Sequence, residues 1–143
     1  LPDVNVWLAL AVQQHPHQDA ALACWQGGAA QRLWFCRVSM LGLVRRLTQP
    51  KLMALDARDA VSALAAHDRF AGLPGVGLYS EPIGCDTELR RLTAAGRPAR
   101  LFTDAYLAAF ATSANLRLVS FDRRFTRFAG LQLLRLDLVP TAW

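Results

Sequence analysis

Short apolar runs of strand length alternate along this chain with longer segments of helical period, and that alternation admits few folds. Leu1 to Val6 reads as a buried strand turning into a helix that continues through Trp7–Ala11, and Asp19 to Trp25 as a helix of small residues ended by Gly27 and Gly28. Arg32 to Cys36 is a second strand, after which Ser39 leads helical spacing from Met40 to Leu47 that Pro50 stops. Ala57, Ala60, Val61, Leu64 and Ala65 predict the inward face of an amphipathic helix from Asp56 to about Phe70. Val76–Tyr79 is a minor strand, and Asp86–Ala95 is a helix with Leu89 and Leu92 inward. The clearest helix runs from Asp104 to about Ala114. A strand over Leu116–Phe121, a short helix over Arg123–Phe128, a last strand over Leu131–Leu138 and a tail from Pro140 follow. Strands separated by helices pair in parallel, with the helices covering both faces. The expected fold is therefore α/β: a three-layer α/β/α sandwich with a mainly parallel central sheet, formed as a single domain by residues 1–143.

Charge narrows the function classes. Fifteen arginines and one lysine (Lys51) face eleven acids, for a net charge of +5, so carboxylates are scarce and phosphate-binding guanidinium groups abundant. A polyanionic partner suits that surface better than a neutral small molecule. No apolar run nears the roughly 18 residues of a membrane span. Cys24, Cys36 and Cys85 form no CxxC pair, and no basic, apolar leader is legible in the opening residues, so a reducing, cytoplasmic setting is expected.

In a parallel α/β sheet, ligands bind outside the carboxyl ends of the strands. Asp3, Asp104 and Asp122 all fall at such positions. Each alone could simply cap a helix. Together, in an acid-poor chain, they call for a neutralising cation, and carboxylate oxygens suit Mg²⁺ or Mn²⁺. Asn5 and Ser120, each two residues from one of these acids, are expected to point to the same side and orient it.

Four segments carry a family resemblance: the opening Leu1-Pro-Asp-Val-Asn-Val-Trp, the helix Ser39-Met-Leu-Gly-Leu-Val-Arg-Arg-Leu-Thr48, Phe102-Thr-Asp-Ala-Tyr106, and Leu118-Val-Ser-Phe-Asp-Arg-Arg-Phe125. In this order they resemble the motifs of PIN-domain ribonucleases, and more narrowly the VapC toxins of bacterial type II toxin–antitoxin pairs. The resemblance implies an endoribonuclease in which Asp3, Asp104 and Asp122 hold Mg²⁺ or Mn²⁺, Asn5 and Ser120 assist them, and metal-activated water cuts the phosphodiester. It also implies a homodimer and a VapB-like antitoxin seated in a groove, for which Trp7, Leu8 and Leu41–Leu43 are candidates. One departure stands out: the acid usual on the helix after the second strand is matched here to Met40, a poor ligand for hard cations. Asp86 or Glu88 could substitute, metal affinity could be reduced, or the chain could be an inactive RNA- or antitoxin-binding module.

Arg45, Arg46, Arg123, Arg124 and Arg127 are placed to hold RNA phosphates, with Arg45, Arg123 and Arg124 the leading candidates. Arg90, Arg91, Arg97 and Arg100 form a possible second stripe. His15 and His17 read as an exposed turn, His67 as a solvated helix residue, and Trp7, Trp25, Trp34 and Tyr106 as core or interface. A phosphatase using a strand-end Asp is disfavoured because Asp3-Val-Asn5 lacks a second Asp. A dinucleotide enzyme is disfavoured because no G-x-G-x-x-G follows the first strand.

Overall fold

The structure is a computed structural model that describes residues 1–27 and 32–136. Seven α-helices and four strands are assigned among them: α1 (Val4–Ala11), α2 (Gln18–Gly27), β1 (Leu33–Phe35), α3 (Arg37–Leu47), α4 (Pro50–Met53), α5 (Ala60–Ala71), β2 (Val76–Leu78), α6 (Cys85–Thr93), α7 (Phe102–Ser113), β3 (Leu118–Ser120) and β4 (Leu133–Arg135). Strands β1 and β2 pair in parallel, as do β3 and β4, and Pro2 forms a parallel bridge to Val119. The Asp3 N–H donates to the Val119 carbonyl at 2.8 Å, and the Val119 N–H to the Leu1 carbonyl at 3.0 Å. The opening residues therefore run beside β3, and both segments leave the sheet at the same end. The α/β fold with parallel strands stands as expected.

Helix α1 is apolar except for Asn5 because it is covered on two sides. Trp7 stacks on Phe35 at 3.7 Å in a core that includes Leu43 and Leu47, while Val6 and Ala9 pack with Ala21 and Val119. A third cluster gathers Leu107, Phe110, Leu118 and Phe125 between α7, β3 and the turn that follows. Gly42 lets α3 approach α1, since a Cβ there would lie 2.5 Å from Val4 Cγ2. The packing of α1 against α3 and β3 fixes the position of Asp3 at its first turn.

Several expectations are corrected. The expected opening strand is reduced to the bridge at Pro2, because Asp3 caps α1 by accepting the Val4 N–H at 2.7 Å. Helix α3 starts at Arg37, not after Ser39. Cys36 is the cap and Ser39 the third residue of a capping box, with Cys36 N–H donating to Ser39 Oγ at 3.0 Å and Ser39 N–H to Cys36 Sγ at 3.4 Å. Pro50 opens the short helix α4 as well as ending the previous run. Helix α5 is capped by Asp59 rather than begun at Asp56, and its phase differs: Ala63, Ala66 and His67 are buried, while Val61 and Leu64 are exposed. His67 is therefore a core residue, edge-on to Phe35 at 4.7 Å, and not solvated. His17 is half-buried and stacks on Phe121 at 4.6 Å. Trp7, Leu8 and Leu43 are buried and cannot line an open groove; of that candidate face Leu41 is exposed. Gly28, the end of the last strand and the tail from Pro140 lie outside the described residues. No helix among the described residues is long and apolar enough to cross a membrane.

Candidate active site

Asp3, Asp104 and Asp122 reach one cleft of about 460 Å³ from three separate elements. Asp3 caps α1, Asp104 lies in the first turn of α7, and Asp122 caps the 3₁₀ turn Arg123–Arg127 after β3. Parallel pairing brings Asp3 and Asp122 together, because Pro2 and β3 run side by side and end at the same edge. Asp104 joins them from α7, which follows the 3₁₀ turn Ala99–Leu101 and not, as expected, a strand.

Ser120 is the hub of the polar network. Its hydroxyl donates to Asp3 Oδ2 at 2.8 Å and accepts from Asn5 Nδ2 at 3.1 Å and from the Asp122 N–H at 3.0 Å. One proton and two lone pairs are all used. Asn5 sits on α1, not on a strand, so its expected alternation with Asp3 does not apply; it reaches the site by bonding Ser120. All five residues expected to form the centre are therefore close to one another, and Asp3, Asn5, Asp104 and Asp122 line the cleft itself.

The three acids are electrostatically unequal. Burial pushes the Asp3 carboxyl up to about 6, with the neighbouring Asp104 and Asp122 charges adding to the shift and the Ser120 and Val4 donors opposing it. Burial also raises Asp104, against the pull of Arg124. Asp122 is buried enough to be raised, but hydrogen bonds and charge from Arg124 outweigh that and hold it below the ordinary range. Arg124 donates its backbone N–H to Asp122 Oδ1 at 2.8 Å and its Nε to Oδ2 at 2.7 Å, and an Nη lies 2.6 Å from the same oxygen. That Nη also lies 3.5 Å from Asp104 Oδ2. The approach is ionic without hydrogen-bond geometry, which leaves Asp104 Oδ2 a buried acceptor lacking a hydrogen-bond partner.

The walls are basic. Helix α3 presents Val38, Gly42, Arg45 and Arg46 to the cleft, Gln49 comes from the cap of α4, Arg100 from the turn before α7, and Arg124 from the turn after β3. Met40 is not on that face. It packs against the Trp7 core and its sulfur accepts from Arg37 at 3.3 Å. The matching of Met40 to a cleft position is thus corrected: the cleft-facing residues of α3 include no acid, and two are arginines. Asp86 and Glu88 do not substitute, being held by Arg90 at 3.0 Å and Arg91 at 2.6 Å on the outer face of α6. The expected stripe of four arginines is divided in the same way, since Arg97 lies over the Phe128 ring at 5.0 Å and only Arg100 lines the cleft. Arg123 is exposed and outside the lining. Sequence reasoning missed Gln49 and Thr103 as lining residues; Gln49 lies in no motif, whereas Thr103 lies beside Asp104 within Phe102–Tyr106, a signal that could have found it.

Hard oxygen donors in a partly buried cleft, one of them an orphaned carboxylate oxygen, fit a divalent cation. Among the described residues, no trio of acidic, histidine or cysteine side chains is arranged as a ready-made cage for an ion.

The PIN domain family matches residues 1–131. Ribonuclease VapC41 of Mycobacterium tuberculosis is 35% identical over 145 residues, covering 93% of this chain and 95% of that protein. Ribonuclease VapC29 of the same species is 31% identical over 139 residues, covering 91% and 90%. In structure, the chain superposes on a chain of VapBC2 from Rickettsia felis, solved with a promoter DNA fragment, with a TM-score of 0.71 at 14% identity, covering 95% and 97%. VapBC-1 from nontypeable Haemophilus influenzae gives a TM-score of 0.67 at 16% identity, covering 94% and 96%. These two likenesses speak to the fold.

Proposed function

This chain belongs to the PIN-domain family, and on that premise we propose that it is a metal-dependent endoribonuclease, the toxin of a VapBC-type pair. The observation that carries the reading is the convergence of Asp3, Asp104 and Asp122 on one arginine-walled cleft, with a buried carboxylate oxygen of Asp104 left without a hydrogen-bond partner. Relatives named as VapC ribonucleases, matched over nearly their whole length, support the same activity.

Asp3 and Asp104 would be the principal ligands of Mg²⁺ or Mn²⁺, with Asp122 the third. When bound, such an ion supplies a water nucleophile at neutral pH and balances charge on the phosphoryl oxygens. The protein's own residues do the positioning. The Val4 N–H and Ser120 hydroxyl fix the two oxygens of Asp3, and Asn5 fixes Ser120. Arg45, on the cleft wall with Arg46 and Arg100, is placed to hold RNA phosphates, and Arg123 to meet the strand outside the cleft. Because α3 contributes two arginines and no acid to the cleft, the site should hold its ion weakly. A VapB-like antitoxin is proposed as a partner, since the structural neighbours are VapBC complexes, and a homodimer on the family resemblance alone. The proposed setting is the cytoplasm, where RNA substrate is met.

The test is cleavage of single-stranded and structured RNA by purified, antitoxin-free protein in Mg²⁺ or Mn²⁺, beside an EDTA control and Asp104→Asn. Cleavage confined to the metal-loaded wild type is expected. Equal cleavage in all three reactions would expose a contaminant and sink the reading, and RNA binding without cleavage would leave the chain a binding module.

A further inference from the structure

Arg124 occupies an unusual place, since it is a cation already lodged among the acids. Its guanidinium makes two contacts with Asp122 Oδ2, at 2.6 and 2.7 Å, and stands 3.5 Å from the orphaned Asp104 Oδ2. The pairing is local and preset, because the backbone N–H of Arg124 is tied to Asp122 Oδ1 in the same 3₁₀ turn. Yet the Arg124 side chain is 46% exposed, against 15% for Asp104 and 24% for Asp122. The guanidinium thus has more solvent to move into than either carboxylate.

We propose that Arg124 is a resident counter-ion of the acidic cleft, holding between Asp104 and Asp122 the place a divalent cation would take, so that metal entry requires its guanidinium to leave Asp104. The inference rests on the metal-dependent reading above and deepens it. Two cations cannot share Asp104 Oδ2 without repelling each other across a few ångströms of partly dehydrated space. The arginine therefore stabilises the metal-free protein and lowers its affinity for metal through the same contacts. A monovalent guanidinium neutralises one of three carboxylates, whereas an ion of charge +2 neutralises two, which gives the exchange its direction at sufficient metal concentration.

The experiment is a calorimetric Mn²⁺ titration of the wild type, Arg124→Gln, Arg124→Lys and Asp104→Asn at fixed ionic strength, with thermal melts in EDTA and in saturating Mn²⁺. Arg124→Gln is expected to bind Mn²⁺ roughly tenfold more tightly, as expected for removing one positive charge beside the ion. It should melt below the wild type in EDTA and gain more from Mn²⁺. Arg124→Lys, which keeps the charge, should stay near the wild type. Unchanged or weaker Mn²⁺ binding by Arg124→Gln, or an equal loss of melting temperature with and without metal, would overturn the exchange and leave Arg124 a structural residue. Should no variant bind Mn²⁺, the metal-dependent reading falls first and the exchange with it; that result is distinct from a wild type that binds while Arg124→Gln gains nothing.

Discussion

The Ser120 hydroxyl donates to Asp3 Oδ2 across 2.8 Å, tying the end of β3 to the cap of α1 between residues 117 positions apart in the chain. Both residues are buried, and the same hydroxyl accepts from Asn5 and from the Asp122 backbone. Ser120→Ala leaves a buried carboxylate short of a donor and two N–H groups short of an acceptor. A destabilisation of about 2 kcal/mol is expected, because a buried unsatisfied polar group costs about 1–3 kcal/mol. Denaturant unfolding measures it. RNA cleavage should fall further than stability explains, since Asp3 loses its orientation while remaining in place.

Acidity should stabilise the metal-free protein over a defined window. The folded-state value of Asp3, about 6, lies above the ordinary aspartate value of about 4, so between those limits the folded state binds more protons than the unfolded. Stability then falls as pH rises from about 4 to about 6 and levels off above, a loss of about 2–3 kcal/mol from this residue. Asp104 is shifted in the same direction. Asp122 is shifted down, so its contribution is present above the ordinary carboxylate range and is lost as the pH falls through its lower folded value, which ends the gain on the acid side. Thermal melts in EDTA from pH 4.5 to 7.5 should show the slope. Asp3→Asn, which can still cap α1 through its one remaining oxygen, should flatten the slope; the same slope in both proteins would contradict the assignment.

Much of this was legible in the residues. The run Leu116–Phe121 and the aspartates Asp3, Asp104 and Asp122 carry local signals, a short apolar stretch and a carboxylate at a helix start, that depend little on tertiary context. Helical phase was harder. Helix α5 carries two apolar stripes, and the one with larger side chains, Val61 and Leu64, lies outside, while Ala63 and Ala66 lie inside where α3 packs closely. Ser39 is a usual cap residue, but the actual cap is Cys36, a weak acceptor that composition does not flag; the misread start hid which residues of α3 face the cleft. The Arg124 pairing depends on a side-chain rotamer within a 3₁₀ turn, and no spacing rule reports it.

Restoring an acid at Met40 should not restore a ligand. Its side chain packs toward Trp7 and outside the cleft lining, so Met40→Glu buries part of a charge against an apolar cluster. A loss of about 1 kcal/mol is expected, the low end for a buried polar group, because Met40 is half-buried and Arg37 stands beside it to pair with the new carboxylate, with Mn²⁺ affinity unchanged. Arg45→Glu, on the cleft-facing side of the same helix, should instead tighten Mn²⁺ binding, because it exchanges a positive for a negative charge beside the acids. Calorimetric titration of the two variants separates the two positions, and tighter binding by Met40→Glu alone would reverse their placement.

The cysteines offer a test of the core that is independent of the site. Cys36 and Cys85 are buried, while Cys24 is half-buried, and burial pushes the Cys85 thiol up to about 11. A thiol reagent at pH 7.5 should modify at most Cys24 in the folded protein, with Cys36 and Cys85 reacting at the rate of unfolding. Mass spectrometry after timed labelling identifies the sites.

Gly42→Ala should couple packing to catalysis. The added Cβ would meet Val4 Cγ2 at 2.5 Å, and Val4 is β-branched, with little rotamer freedom inside a helix. Relief requires α1 and α3 to separate, at a cost of about 1–3 kcal/mol for overpacking, offset in part by alanine's better helix propensity. Val4 follows Asp3 directly and donates to its Oδ1, so the displaced helix start carries the carboxylate with it. The expected signature is a lower melting temperature together with weaker Mn²⁺ binding. A Val4→Ala change in the same protein, which removes the colliding methyl groups, should recover both. Recovery of stability without recovery of metal binding would show that Gly42 serves the cleft by some route other than the placement of Asp3.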